Sequence, residues 1–338
     1  MSPISRRNFL LGAGAVLAVP SFARARERLP VLGVLVPGRK PPPLDPTHEL
    51  FERHLRELGW VDGKTLRIER AYSGDDLGRL PELARMLVAK KVDVIWTGSP
   101  WGAVAAARAT TTIPIVFWRA GFPVEYGLVD SLAKPGRNVT GVAWFADESI
   151  YVKRYQLLRE LAPGAARVAT IIVPAKARSS VSGGPVDPRW LIDKVDAATK
   201  AMALERRMFP VRKLAGFEPA FAGIEQWGAD ALNVLDLPLT ILARKQIVDF
   251  ARRRRLVDIY ETREWAAAGG LMSYGIVFKP TLLRSLDMVD RILRGAKPAD
   301  IPVELPSQYE LVVNLATAKA QGFEVPQSIL LRADRVIQ

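Results

Sequence analysis

The 338-residue sequence contains no cysteine, only two histidines and no apolar run long enough to cross a bilayer. Without cysteine there is no disulfide, no thiolate metal site, no cysteine nucleophile and no lipid-bearing cysteine behind a leader. His48 and His54 stand without acidic or histidine partners at metal-ligand spacing, so neither a metal nor a cofactor is expected. Beyond the first 25 residues the GxSxG, P-loop, HExxH and GxGxxG patterns are also missing. Glu261 and Glu264 are close enough for paired acid/base work, yet acids equally favour a helix start. No catalytic set assembles, and no enzyme activity is expected.

What is present begins with a leader. Arg6 and Arg7 precede an apolar stretch from Phe9 to Val19, Pro20 ends it, and Ala23-Arg24-Ala25 gives a small-residue exit site. That is the layout of a secretory signal, too short for a spanning helix of roughly 20 residues. Ser5-Arg6-Arg7-Asn8-Phe9-Leu10 further resembles a twin-arginine address. Residues 1–25 are therefore read as a signal peptide, cleaved near Ala25, and the mature chain as periplasmic. Taking 25 from 338 leaves 313 residues, enough for two lobes.

Charge points to no particular partner. The formal net charge is +13, and losing Arg6, Arg7 and Arg24 with the leader takes it to +10. The densest cluster, Arg252 to Arg255, ends an expected helix, where cations suit the dipole. No long basic run carries interleaved aromatics, so nucleic acid is not an expected partner. A basic surface of this kind helps to attract an anionic ligand.

Apolar strands alternate with amphipathic helices along the chain. Leu32 to Val36, Val92 to Trp96, Ile113 to Phe117, Val168 to Val173, Ala231 to Leu235, Val257 to Tyr260 and Leu271 to Tyr274 read as buried strands. Phe51, Leu55 and Leu58 mark the first helix; Leu80, Leu83, Leu87 and Val88 mark the second. The fold class is α/β: two Rossmann-like lobes with parallel sheets, joined by a hinge. The rhythm pauses at Lys134 to Asn138 and then restarts. Lobe 1 is assigned to residues 26–141 plus about 270–303, and lobe 2 to 142–269 plus about 304–338. Ligands of such sheets bind beyond the carboxyl ends of the strands, here in the cleft between lobes.

Candidate ligand contacts follow from that geometry. Ser99 and Pro100 suit the N-cap and first position of a helix whose free N–H groups can hold an oxyanion. Trp101, Trp118, Phe122, Trp144 and Tyr260 fall near strand ends or helix starts and offer apolar contact. Asp236 ends an apolar strand, where a carboxylate is equally suited to meet a ligand ammonium or hydroxyl and to cap the next helix. Glu264 opens a helix, and Ser273 and Tyr274 end the Leu271 strand. Asp187-Pro188 suits a helix start.

Several stretches resemble a known family: LPELARMLVAKKVDVIW, TTIPIVF, GLVDSLAKPGRNVTGV, KRYQLLRELAPGAARVA, AAGGLMSYG, RILRGAKPADIPVE and ELVVNLATAKAQGFEVP. In order, they are similar to the ABC-transporter substrate-binding proteins of tryptophan/tyrosine transport type. The resemblance implies a type I periplasmic binding fold that closes on a small ligand. It also implies delivery to an inner-membrane ABC permease, with a monomer as the expected state. A ligand-sensing module that presents its closed form to a membrane receptor is the alternative. The family loop written GDPVE falls on Gly121 to Glu125, with Phe122 in place of the acid. If that acid meets a ligand amine, a bulkier or amine-free aromatic or acidic ligand is favoured here. Lys176 and Arg178 replace an asparagine- and proline-rich loop and are expected to face an anion.

Overall fold

In each lobe successive strand residues face opposite ways, and both faces are apolar. Val31, Leu35, Ile95, Ile115 and Phe117 enter one core, while Leu32, Val34, Val94, Trp96 and Val116 enter another. Strands buried on both sides need helices on both sides. A computed structural model describes residues 28–40, 46–74, 76–145, 148–173 and 189–338. The leader, Lys176, Arg178 and the Asp187-Pro188 helix start lie outside these.

The first sheet contains β1 (Val31–Val36), β2 (Arg67–Tyr72), β3 (Val94–Thr97), β4 (Ile115–Ala120) and β5 (Val139–Ala143), in the order β2-β1-β3-β4-β5. All its pairs are parallel. It packs between α1 (Pro46–Glu57), α2 (Leu80–Ala89) and α3 (Pro100–Ala109), each within the same half of the chain.

Beyond β5 the chain enters the second lobe, where α4 (Ser149–Leu161) leads into β6 (Arg167–Ile172). Next come α5 (Arg189–Ala201), β7 (Glu205–Pro210), α6 (Phe217–Trp227), β8 (Ala231–Val234), α7 (Pro238–Leu242), α8 (Arg244–Arg254), β9 (Val257–Tyr260) and α9 (Arg263–Ala267). The chain continues through β10 (Met272–Ile276), α10 (Phe278–Leu293), β11 (Tyr309–Asn314), α11 (Leu315–Gln321), α12 (Gln327–Leu330) and β12 (Arg335–Ile337). The second sheet runs β12-β11-β10-β9-β8-β6-β7 and is parallel except between β10 and β11.

Helix α10 returns to the first sheet. Its Leu282, Leu286 and Val289 complete the core around Leu32, Trp96 and Trp118. The chain crosses back after Glu304, which bridges to Val142 beside β5. The expected lobe bounds need correction here. Residues 270–277 belong with the second sheet, because β10 pairs in register with β9 and β11. The switch lies at Val277, whose N–H donates to the Gln308 carbonyl of the returning strand. Three crossings thus connect the lobes, after β5, after β10 and before β11.

Asp258 is buried in β9, where its Oδ2 accepts from the Leu271 N–H at 2.9 Å. Burial pushes its carboxyl from 3.8 up to about 6. The folded state therefore holds this proton more tightly than the unfolded chain. The stability it contributes is full below about pH 4 and lost as pH rises through about 6, a change of about 3 kcal/mol. Asp258→Asn is expected to remove that loss. Urea midpoints should place the variant above the parent at about pH 8 and level with it at about pH 4.

Candidate functional site

Parallel strands send their carboxyl ends to one edge of each sheet, and the following loops from both sheets meet there. Between them lies a cavity of about 400 Å³, a size that suits a small organic molecule. The first lobe contributes Ser99 and Trp101 after β3, and Arg119 and Phe122 at and after the end of β4. The second contributes Asp236 after β8 and Glu261 after β9.

Local rules place the first group. Ser99 has extended backbone, and its Oγ accepts from the Gly102 N–H at 3.0 Å; Pro100 fills the first helical position. The Ser99 hydroxyl is thus the cap of α3. Trp101 follows, and among the described residues its buried Nε1–H has no partner. Aromatic rings form one wall: Phe122 to Phe145 at 6.2 Å, Trp144 to Phe145 at 6.1 Å and Phe145 to Tyr151 at 5.0 Å between centroids. Such edge and tilted contacts fix the rings relative to one another.

Charge enters this apolar space at Arg119. Its φ is +72°, where the β4–β5 register shifts between Trp118 and Ala120. A bulge of this kind re-aims a side chain, here toward the cleft. The guanidinium lies 4.0 Å from the Trp144 ring centroid. Its Nη2 donates to the Asp236 carbonyl at 3.3 Å and stands 3.6 Å from Asp236 Oδ2. Among the described residues, Nε and Nη1 have no partner. Burial holds Arg119 below the usual arginine range, against the opposing pull of Asp236.

Behind Arg119 runs a chain of buried charges. Asp236 accepts from Thr262 Oγ1 at 3.0 Å and from Trp265 Nε1. Burial nevertheless keeps its carboxyl above the ordinary range, with Arg119 pulling the other way. The Asp236 N–H donates to Glu261 Oε2 at 2.7 Å, and Arg154 Nη1 donates to Glu261 Oε1 at 2.8 Å. Arg154 Nε also donates to the Tyr274 carbonyl at 2.8 Å. Gly275 makes room for this arrangement: a Cβ there would stand 1.7 Å from the Glu261 carbonyl oxygen. Arg154, Glu261, Asp236 and Arg119 therefore link α4 in one lobe to β4 in the other.

Ser99, Pro100, Trp101, Phe122, Trp144 and Asp236, all expected at the site, line this cavity. Asp236 is not open to a ligand ammonium, however, because Arg119, Thr262 and Trp265 already occupy it. The other expected residues are not part of the lining. Trp118 is core: it stacks on Trp96 and donates to Thr281 Oγ1 at 3.1 Å. Tyr260 is fully buried and stacks on Trp265 at 4.6 Å. Glu264 lies at the start of α9 beside Arg263. Ser273 is buried within β10, and Tyr274 on the same strand stacks on Tyr309. Sequence reasoning missed Arg119, Arg154, Tyr155 and Asn233, and weighed Glu261 only as half of an acid pair. An arginine directly after the apolar run Ile115 to Trp118 was the available signal for Arg119.

Known proteins agree with this architecture. Residues 40–337 match the family described as ABC transporter substrate binding protein. A tyrosine-binding protein from Clostridioides difficile is 26% identical over 283 residues, 82% of this chain and 77% of the relative. A conserved domain protein from Vibrio cholerae superposes with a TM-score of 0.79 at 22% identity, covering 91% of this chain and all of the other. An ABC domain in complex with L-Trp from Streptococcus pneumonia gives 0.76 at 21% identity, covering 92% of this chain and all of the other. The two structural likenesses concern the fold alone. With most of its length matched, the chain belongs to the ABC transporter substrate-binding protein family.

Proposed function

We propose that this chain captures an aromatic carboxylic acid lacking an α-ammonium group and hands it to an ABC permease in the inner membrane. One observation carries the reading: the aromatic-walled cavity holds a cation with open donors, Arg119, and no unengaged buried acid among the described residues. The ligand carboxylate meets Arg119 Nε and Nη1, with Trp101 Nε1 as a further donor. The ring packs against Trp144 and Phe122. An ammonium has no buried counterpart, since Asp236 and Glu261 are engaged and Glu125, the remaining acid of the lining, is solvent-exposed. The tyrosine-binding relative supports an aromatic ligand class. The twin-arginine-type leader supports export and a periplasmic location, and the lack of any assembled catalytic set supports binding without turnover. The protein acts as a monomer.

Calorimetry of the mature chain tests this. 3-Phenylpropanoate and indole-3-acetate are expected to bind at least about tenfold more tightly than L-phenylalanine and L-tryptophan, because an ammonium desolvated without a partner costs more than one such factor. Phe122→Asp restores an acid at the family position and is expected to bring the amino acids level or ahead. Amino acids that bind the parent as tightly as the acids do would contradict the reading.

A further inference from the structure

The cavity does not end at the ring wall. It extends into the second lobe, where Tyr155, Thr170 and Asn233 form part of its lining. Thr170 and Asn233 are register partners on β6 and β8, and α4 brings Tyr155 over them. Asn233 Nδ2 donates to the Tyr155 hydroxyl at 3.0 Å, and that hydroxyl lies 3.0 Å from Thr170 Oγ1. Asn233 is 1% exposed, yet among the described residues its Oδ1 has no partner. A buried amide oxygen left unpaired is costly, and native proteins rarely tolerate one unless something else supplies the donor. The neighbouring lining is Ile172, Leu191, Val195 and Met208, with Arg206, whose guanidinium is paired with Asp196, as the charged member.

We propose that Asn233, held by Tyr155 and Thr170, is an inner subsite that takes a hydroxyl at the end of the ligand remote from its carboxylate. A hydroxyl supplies the missing donor. It can also accept from the network, so it suits either rotation of the Asn233 amide. The ligand class narrows to hydroxyaryl acids, with Arg119 fixing one end and Asn233 selecting the other. This rests on the aromatic-acid reading of the cleft.

The test is calorimetry with two pairs of probes: phenylacetate against 4-hydroxyphenylacetate, and 3-phenylpropanoate against 3-(4-hydroxyphenyl)propanoate. In the parent protein one hydroxylated member should bind at least about tenfold more tightly than its partner, since a site built to bond a hydroxyl rejects the analogue without one. In Asn233→Leu that ratio should fall to about one while the unsubstituted acid still binds. Equal affinities within both pairs in the parent overturn the subsite and leave the aromatic-acid reading standing. Failure of all four acids to bind overturns both. The parent comparison decides the matter even if the variant does not fold.

Discussion

Arg119→Ala is expected to weaken 3-phenylpropanoate binding by about 100- to 1,000-fold. Each hydrogen bond from a guanidinium to a carboxylate contributes about 1.5–3 kcal/mol, and about 1.4 kcal/mol is one factor of ten. Two such bonds, discounted for the residual donor at Trp101 Nε1, give that range. Arg119→Lys should lose a smaller factor, about 10- to 30-fold, because a lysine keeps the charge without the planar fork or the stacking on Trp144. Fold should survive both changes, since Asp236 retains Thr262 and Trp265 as donors. A loss below about threefold in Arg119→Ala, with the thermal midpoint unchanged, would remove Arg119 from the binding account.

Arg154→Met is expected to act on stability instead. Both members of the Arg154–Glu261 pair are buried, with side-chain exposures of 0% and 4%. Removing one partner of such a pair costs about 3–5 kcal/mol, because the remaining charge is stranded. For a lobe of this size that is a fall of roughly 10 °C in thermal midpoint. The double variant Arg154→Met/Glu261→Gln should recover most of it. The glutamine oxygen still accepts from the Asp236 N–H, and no lone charge is left. Scanning calorimetry of the parent and the two variants reads this directly. A double variant no more stable than Arg154→Met would show that the pair is not what holds α4 to the end of β9.

The two strand-end misses have one physical cause. Tyr260 and Trp118 were expected in the cleft, whereas the groups that line it are their next neighbours, Glu261 and Arg119. Along a strand a shift of one residue exchanges the faces. In a parallel sheet covered on both sides each face is apolar, so periodicity locates the strand without saying which parity meets the ligand. At Arg119 the positive φ and the register shift add a second turn of direction that residue types do not announce. By contrast, the Ser99-Pro100 start of α3 was legible, because a hydroxyl cap followed by proline depends on local chemistry alone. The strand Leu271 to Tyr274 was equally visible as a strand. Its sheet was not, because that depends on antiparallel pairing with β11, more than 30 residues later. Phe122 shows the remaining use of sequence: its departure from the family loop marked a residue that the fold brings to the cavity wall.

A crystal structure of the mature chain with bound 3-(4-hydroxyphenyl)propanoate tests the central claim most directly. The account predicts the acid between the two sheets, its carboxylate within about 3 Å of Arg119 Nε or Nη1 and its ring against Trp144 and Phe122. Contacts should come from both lobes. An acid bound outside the cavity, held by one lobe only, or turned with its carboxylate away from Arg119 would contradict it.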